Sequence, residues 1–223
     1  MQHSTTEPSL PKSIPSRRGR APANKGQTYP VELLTRAEVR ALLAACSRRA
    51  PTGVRNCALL ATMYRCGLRV SEALALLPRD VDFEAGTVRI RRGKGGKART
   101  CAIDAGALAL IDKWLEVRRQ RGISRSARLF CTLDAGPVSS TYVRAMMKRM
   151  AVRAGIAKRC HPHGLRHCHA VELIEEKVSP VIVQRQLGHA SLAVTTRYLQ
   201  GLRPQAVVEA IAARPAWRDD PQG

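Results

Sequence analysis

The chain has 223 residues, enough for one domain with a sizeable core, and its low aromatic content of 4% leaves Ala, Leu, Val and Ile to build that core, which favours helices. Its 38 lysine and arginine residues exceed the 17 acidic residues and give a net charge of +21, typical of proteins that bind nucleic acid, or less commonly an anionic membrane surface. The sequence shows neither an apolar run of membrane-spanning length nor a signal-peptide core, so we expect a cytoplasmic, nucleoid-associated protein with no membrane partner.

The two ends of the chain differ in composition from its middle. Residues 1–29 combine Ser, Thr and Pro with scattered basic residues and few apolar ones, so we expect a disordered basic tail. Order is predicted to begin near Leu33, and we place the folded domain at residues 30–215. Residues 216–223 are predicted to form a second disordered tail.

Three helices are predicted at the start of the domain. The segment Thr35 to Glu38 has the pattern of a capping box and precedes an apolar stripe. A second helix is expected over about 54–66, ending at Gly67. A short third helix should run from near Ser71 to Pro78, which places Arg69 at a helix–helix junction.

The hydrophobic period then changes from that of helices to that of strands. The segments VDFEAGTVRI and RTCAI predict a small antiparallel sheet of two or three strands, with turns at EAG and GKGG. Because alternate residues of a strand share a face, several cations here are expected to meet a phosphate backbone together. They belong to a stretch that holds six cations: Arg89, Arg91, Arg92, Lys94, Lys97 and Arg99.

The remainder of the domain is predicted to be helical. The expected helices cover about 105–121, 139–154, 164–177, 180–187, 192–199 and a last amphipathic segment, QAVVEAIAA, that Pro204 opens. The predicted fold class is therefore α+β, mainly α with a small antiparallel β-sheet.

Cysteine usage indicates a reducing compartment. The chain has seven cysteines with irregular spacing and without a CxxC pair. We interpret them as small buried hydrophobic residues rather than as a disulfide framework.

Six dispersed polar residues have the chemistry to cleave a phosphodiester without a metal. Tyr198 is a candidate nucleophile, because a phenol with a pKa near 10 leaves phosphorus more readily than a sugar alkoxide does. Arg69 and Arg166 are candidates to clamp one phosphate, since the planar guanidinium grips two oxygens and keeps its charge.

The other three residues supply proton transfer and orientation. Lys94, in a Gly-Lys-Gly turn, is a plausible general acid for the departing 5′-oxygen. His163 could accept the proton of the tyrosine. His189 could bind a phosphate oxygen or orient the nucleophile. Taken singly, each of the six is more often an ordinary surface or core residue, and their combination favours the catalytic interpretation.

Four strings carry a resemblance to the tyrosine recombinases, the phage integrase family. GLRVSEALAL, RRGKGGK, HPHGLRH and QLGHASLAVTTRYL are similar, in order and spacing, to the active-site segments of that family across residues 33–200. The resemblance implies the tyrosine recombinase catalytic-domain fold. It also implies a set of phosphate-activating residues and a nucleophile: Arg69, Lys94, His163, Arg166, His189 and the nucleophile Tyr198.

The resemblance implies a reaction and its partners as well. The expected activity is site-specific recombination of double-stranded DNA through a 3′-phosphotyrosyl intermediate that a 5′-hydroxyl of another strand attacks, with no metal or nucleotide cofactor. The outcome would be integration, excision or inversion. A homo-multimer, a tetramer, is expected on the DNA, and accessory DNA-bending proteins are a further partner class. Glu72 and His167 fall at positions commonly occupied in the family, where supporting roles are implied.

Family members commonly carry a helical DNA-binding domain of about a hundred residues before the catalytic half. Only the predicted tail precedes the catalytic segments here, so the chain is expected to be either a short member or a fragment. The segment at about 203–213 is expected either to dock into a neighbouring subunit or to fold back onto its own core.

Alternative functions remain open from the sequence. A type IB topoisomerase-like enzyme would nick and reseal DNA with the same chemistry, and a catalytically silent regulator would bind DNA with the same fold. A basic RNA- or ribosome-associated protein would account for the charge alone. A zinc site is the rival interpretation of the cluster Cys160, His161, His163, His167, Cys168 and His169, although Arg166 in its midst would repel a dication.

Overall fold

Seven α-helices and a three-stranded sheet make up the described part of the chain, which in this computed structural model comprises residues 33–91, 93, 96, 98–188 and 212. The helices are α1 Arg36–Ala44, α2 Pro51–Arg65, α3 Val70–Ala75, α4 Ala105–Gln120, α5 Ser140–Arg153, α6 Pro162–Glu175 and α7 Pro180–Leu187. The strands are β1 Val81–Asp82, β2 Thr87–Ile90 and β3 Arg99–Ala102, preceded by a 3-10 turn at Pro78–Asp80. The predicted fold class, mainly α with a small antiparallel sheet, is confirmed.

Local sequence signals account for the starts of the first two helices. The Thr35 side chain accepts a hydrogen bond from the Glu38 amide at 3.2 Å, and the Glu38 carboxylate accepts one from the Thr35 amide at 2.7 Å, so the predicted capping box is present. Helix α2 begins at Pro51, three residues before the predicted start. A proline fits the first turn because its missing N–H has no partner there in any case.

The sheet has the order β1-β2-β3 and is antiparallel throughout. Val88 pairs with Cys101 and Ile90 pairs with Arg99, so these four residues lie on the face that covers the core. The cations of these strands therefore lie on both faces of the sheet: Arg99 points inward, and Arg89 is exposed on the other face. Arg91 is bound to Asp80 at 2.6 Å.

Helix α7 is attached to the free edge of β3 through Gln186. The Gln186 amide nitrogen donates to the Ala102 carbonyl at 2.8 Å, and its oxygen accepts from the Ala102 N–H at 2.9 Å. The Cys101 thiol also donates to the Gln186 carbonyl at 3.3 Å. These bonds fix the C-terminal end of α7 beside the sheet.

The main core lies between α2, α4, α5 and the sheet. Its largest fully buried side chains include Trp114, Phe130 and Met146, and the Trp114 indole N–H donates to the Leu129 carbonyl at 2.6 Å. All seven thiols are free; six are buried and Cys57 is half-buried. Among the described residues, none of the helices combines the length and apolarity that crossing a bilayer would require.

Candidate active site

Arg69 lies at the junction between α2 and α3, where the sequence placed it. Gly67 ends the turn after α2 with φ +60°, a conformation that glycine adopts without strain. Arg69 then takes an extended backbone conformation as the N-cap of α3. Its amide donates to one oxygen of Glu72 at 2.9 Å, and its Nη1 donates to the other at 2.8 Å. Both the backbone and the guanidinium of Arg69 are thus held by one carboxylate.

Glu72 is the buried acid around which this junction is built. Its side chain also accepts two hydrogen bonds, both 2.8 Å, from the guanidinium of Arg99. Burial by itself would raise the pKa of Glu72, but the bonds from Arg99 and Arg69 outweigh it and lower that pKa to about 2. Glu72 is therefore ionised and serves as a fixed anionic support for two arginines.

Helix α6 carries the HPHGLRH string and starts two residues earlier than predicted. His161 is its N-cap and accepts from the Gly164 amide through Nδ1 at 3.0 Å, while Pro162 occupies the first turn. This start places His163 in the first turn and Arg166 in the second. Residues three apart on a helix are surface neighbours, so the two side chains lie close together.

Arg166 is buried, with only 1% of its surface exposed. Its Nη1 donates to the Gly67 carbonyl at 2.5 Å, and its Nη2 donates to the Leu187 carbonyl at 2.7 Å. These carbonyls lie at the C-terminal ends of α2 and α7, where the helix dipole favours a cation. The guanidinium thus joins α6 to the turn before Arg69 and to the end of α7.

His163 is exposed and packs edge-to-face against His167, with ring centroids 4.2 Å apart. Desolvation by the surrounding protein lowers the pKa of His163, and the positive charges of Arg166 and Arg69 lower it further. The imidazole is therefore neutral near pH 7 and able to accept a proton. Arg166 bonds to the carbonyl of Gly67, two residues before Arg69, and lies one helical turn from His163, so these three predicted residues belong to one site.

The other three predicted site residues, Lys94, His189 and Tyr198, lie outside the described residues. So do the predicted tails, the predicted helix at 192–199 and the segment at 203–213 apart from residue 212. The sequence nevertheless connects two of the three to described elements. Lys94 belongs to the connection between β2 and β3, and His189 directly follows Gly188, the C-cap of α7.

The side chains of the proposed zinc cluster diverge. Cys168 donates to the Leu34 carbonyl at 3.3 Å, whereas His161 caps α6 and His163 contacts His167. Across residues 33–91 and 98–188, no three His, Cys, Asp or Glu side chains converge as metal ligands would. The histidine-rich string therefore serves helix capping, core packing and the candidate active site.

Two contributors to the site were not predicted as such. Arg99 appeared to be one of several strand cations, yet it is inward-facing and bound to Glu72. His169 is buried beneath Gly67, where a Cβ would come within 2.9 Å of its ring carbon. Burial lowers the pKa of His169 to about 4, so it is a neutral packing residue. An alternating strand pattern could have indicated the inward face of Arg99 only if the register had been known.

Comparisons with known proteins identify the family to which the chain belongs. The sequence pattern of the phage integrase family matches residues 32–203. The chain is 39% identical over 149 residues to the tyrosine recombinase XerC of Xanthomonas axonopodis pv. citri (strain 306), covering 67% of this chain and 48% of that protein. It is 36% identical over 167 residues to the tyrosine recombinase XerD of Ralstonia nicotianae (strain ATCC BAA-1114 / GMI1000), covering 74% and 54%.

Solved structures show the same fold. The XerA recombinase superposes with a TM-score of 0.72 at 27% identity, covering 89% of this chain and 70% of that one. The XerH site-specific recombinase, solved in a post-cleavage complex with palindromic difH substrate, superposes with a TM-score of 0.68 at 28% identity, covering 81% and 52%. The fold is that of a tyrosine recombinase catalytic domain, and the chain belongs to the phage integrase family. It spans about half the length of the curated relatives it matches.

The low pKa of Glu72 predicts a specific pH dependence of stability. A carboxylate with a lowered pKa stabilises the fold above its unfolded pKa of 4.5, and this contribution is lost as the pH falls towards 2. Glu72→Gln should therefore lower the free energy of unfolding by up to about 3 kcal/mol at pH 6, and the difference from the wild type should shrink as the pH falls from 4.5 to 2. Urea denaturation across this range measures it.

The matched control is Glu84→Gln, which changes an exposed acid in the turn between β1 and β2. Its unfolding free energy should stay within about 0.5 kcal/mol of the wild type at every pH. A Glu72→Gln deficit that does not change with pH would contradict the account of this carboxylate.

Proposed function

We propose that the chain is the catalytic part of a site-specific DNA recombinase that cleaves and rejoins strands through a 3′-phosphotyrosyl intermediate. The observation that carries the proposal is the meeting of Arg69, His163 and Arg166, from two distant segments, in one cationic site. Two arginines beside a neutral histidine suit a phosphodiester that must be bound, neutralised and attacked. The relatives that match the chain are named tyrosine recombinases.

The proposed cleavage step transfers a phosphoryl group from the 5′-oxygen of the DNA to the hydroxyl oxygen of Tyr198. The hydroxyl of Tyr198 gives its proton to His163, and its oxygen forms a bond to the scissile phosphorus. The bond from phosphorus to the 5′-oxygen breaks, and that oxygen takes a proton from Lys94. The products are a 3′-phosphotyrosyl linkage and a free 5′-hydroxyl, so a 5′-hydroxyl from another strand can reverse the step and join new partners.

The arginines and His189 act on the phosphate in this proposal. Arg69 and Arg166 would neutralise the non-bridging oxygens as charge builds up in the transition state. Their positions are set before DNA binds, since Glu72 holds the first and two backbone carbonyls hold the second. Such preorganisation means that little of the binding energy must be used to assemble the site. His189 would donate to a phosphate oxygen or orient the nucleophile.

Double-stranded DNA is the proposed substrate. The net charge of +21 supplies a field that attracts the phosphate backbone. The XerH recombinase was solved bound to its difH substrate, and we propose DNA as the same class of partner here. Because strand exchange joins two duplexes, we propose a homo-tetramer on DNA, with integration, excision or inversion as the outcome.

Covalent capture tests the proposed nucleophile. We expect the protein, incubated with a pool of nicked duplexes of randomised sequence, to become covalently attached to a subset that can be purified under denaturing conditions and sequenced. Tyr198→Phe should remove the adduct, because phenylalanine lacks the attacking oxygen. Mass spectrometry of the adduct should locate the DNA on Tyr198.

Tyr142→Phe is the matched control for this capture. The hydroxyl of Tyr142 accepts from Arg55 at 2.7 Å, away from the candidate site, and its loss should leave the adduct in place. DNA binding by the wild type without any adduct would instead indicate a silent DNA-binding regulator. Relaxation of supercoiled plasmid without sequence preference would indicate topoisomerase-like nicking and resealing.

The lowered pKa of His163 predicts the pH dependence of cleavage. A general base acts in its neutral form, so the rate of adduct formation should rise with pH through an apparent pKa below 6.5 and be level near pH 7. His163→Gln should lower the plateau about 10²- to 10⁴-fold and remove this acidic limb. Single-turnover rates on a captured duplex, measured from pH 5 to 8, test it. An acidic limb that persists unchanged in His163→Gln would assign the proton transfer to another group.

A further inference from the structure

Arg99, the first residue of β3, contacts the site, although the proposed mechanism gives it no role. Its side chain is 12% exposed and faces inward, opposite Ile90 in the sheet register. Both terminal nitrogens bind Glu72, each at 2.8 Å, to different oxygens. Such a two-pronged pair fixes the orientation of both groups more strictly than a single bond would.

The pair of Arg99 and Glu72 connects β3 to Arg69. The same two carboxylate oxygens that bind Arg99 also accept from the amide and the Nη1 of Arg69. If Arg99 were lost, the Glu72 carboxylate would lose the two bonds that hold it to the sheet and could rotate together with Arg69. The orientation of the Arg69 guanidinium therefore depends on a residue in the sheet.

Arg99 is also in contact with the end of α7. A Cβ built on Gly188 would lie 2.6 Å from the Cδ and 2.8 Å from the Nε of Arg99, closer than carbon atoms tolerate. Gly188 has φ +65° and is the residue before His189 in the sequence. The Cδ, Nε and Cζ atoms of Arg99 thus occupy the space beside the end of α7, while its two terminal nitrogens bind Glu72.

We propose that Arg99 is a positioning residue of the active site: it orients Arg69 through Glu72 and sets the end of α7 through its contact with Gly188. It touches no substrate in this proposal, which rests on the proposed function. It also begins the strand that follows the segment containing Lys94. One side chain thereby connects the chain segments of Arg69, Lys94 and His189.

A role in stability alone would give a different result. Buried ion pairs often contribute little net stability, because the cost of desolvation offsets the attraction. If Arg99 served only to fill the core, its replacement would lower stability and leave the cleavage rate of the folded protein unchanged. A positioning role requires the rate at saturating DNA to fall.

The test compares Arg99→Ala and Arg99→Lys with the wild type on a captured duplex. We expect single-turnover cleavage at saturating DNA to fall about 10²-fold, the cost of a displacement of about 1 Å in a catalytic group. The Kd for the duplex should change by less than about threefold, since Arg99 does not face the DNA. Lysine keeps the charge but cannot form the fork, so Arg99→Lys should recover less than about a tenth of the lost rate.

The matched control is Arg119→Gln. Arg119 also forms a two-pronged pair with an acid, Glu116, but both lie on the exposed face of α4. Its removal should leave the cleavage rate and the Kd unchanged. Cleavage by both Arg99 variants within about threefold of the wild-type rate at saturating DNA would overturn the proposal.

Gly188→Ala provides a second route to the same displacement. Its methyl group should push Arg99 from Glu72 and slow cleavage in the wild-type background. In an Arg99→Ala background the methyl has room, so the same substitution should slow cleavage much less. If Gly188→Ala slowed cleavage by the same factor in both backgrounds, the contact between Gly188 and Arg99 would not be the cause of the slower cleavage.

Amide hydrogen exchange at Arg69 tests the inference without requiring cleavage. The Arg69 N–H donates to Glu72, so we expect its exchange to accelerate about tenfold or more in Arg99→Lys, relative to Arg119→Gln. An unchanged exchange rate would overturn the positioning role even if the wild type formed no adduct. Absence of a Tyr198-dependent adduct in the wild type, with faster exchange in Arg99→Lys, would count against the proposed function alone.

Discussion

The site depends on the hydrogen bonds that the buried guanidinium of Arg166 donates to two backbone carbonyls. The guanidinium bonds to the Gly67 carbonyl at 2.5 Å and to the Leu187 carbonyl at 2.7 Å, and so brings together α6, the turn before α3 and the end of α7. A residue proposed to bind phosphate therefore also determines where the neighbouring catalytic segments lie. Because buried backbone carbonyls need partners, removing this side chain would take one hydrogen bond from each of two carbonyls as well as removing a charge.

Charge is arranged in the site so that each group keeps the state its proposed role requires. Glu72, with a pKa lowered to about 2, stays anionic and holds Arg69 and Arg99. Desolvation lowers the pKa of His163 and the positive charges of Arg166 and Arg69 lower it further, so its neutral form is favoured. The arginines of the site thus favour both the ionised form of Glu72 and the neutral form of His163.

Local signals in the sequence were sufficient for much of the fold. The Thr35 capping box, the glycine after α2 and the helical spacing of His163 and Arg166 depend on residues within a few positions of one another. The start of α6 was predicted at residue 164, whereas His161 caps the helix and Pro162 fits its first turn. Arg99 was predicted only as one of six cations in the strand region, since the pairing with buried Ile90 decides its face. The anchors of Arg166 are backbone atoms far along the chain, which side-chain patterns do not reveal.

The central claim is that Arg69 and Arg166 grip the phosphate that Tyr198 attacks. A crystal structure of the covalent complex with a captured duplex tests it most directly. The account predicts a bond between the Tyr198 oxygen and a 3′-phosphate whose non-bridging oxygens accept hydrogen bonds from both guanidinium groups. A phosphotyrosyl linkage beyond hydrogen-bond reach of both arginines, in every subunit, would contradict it.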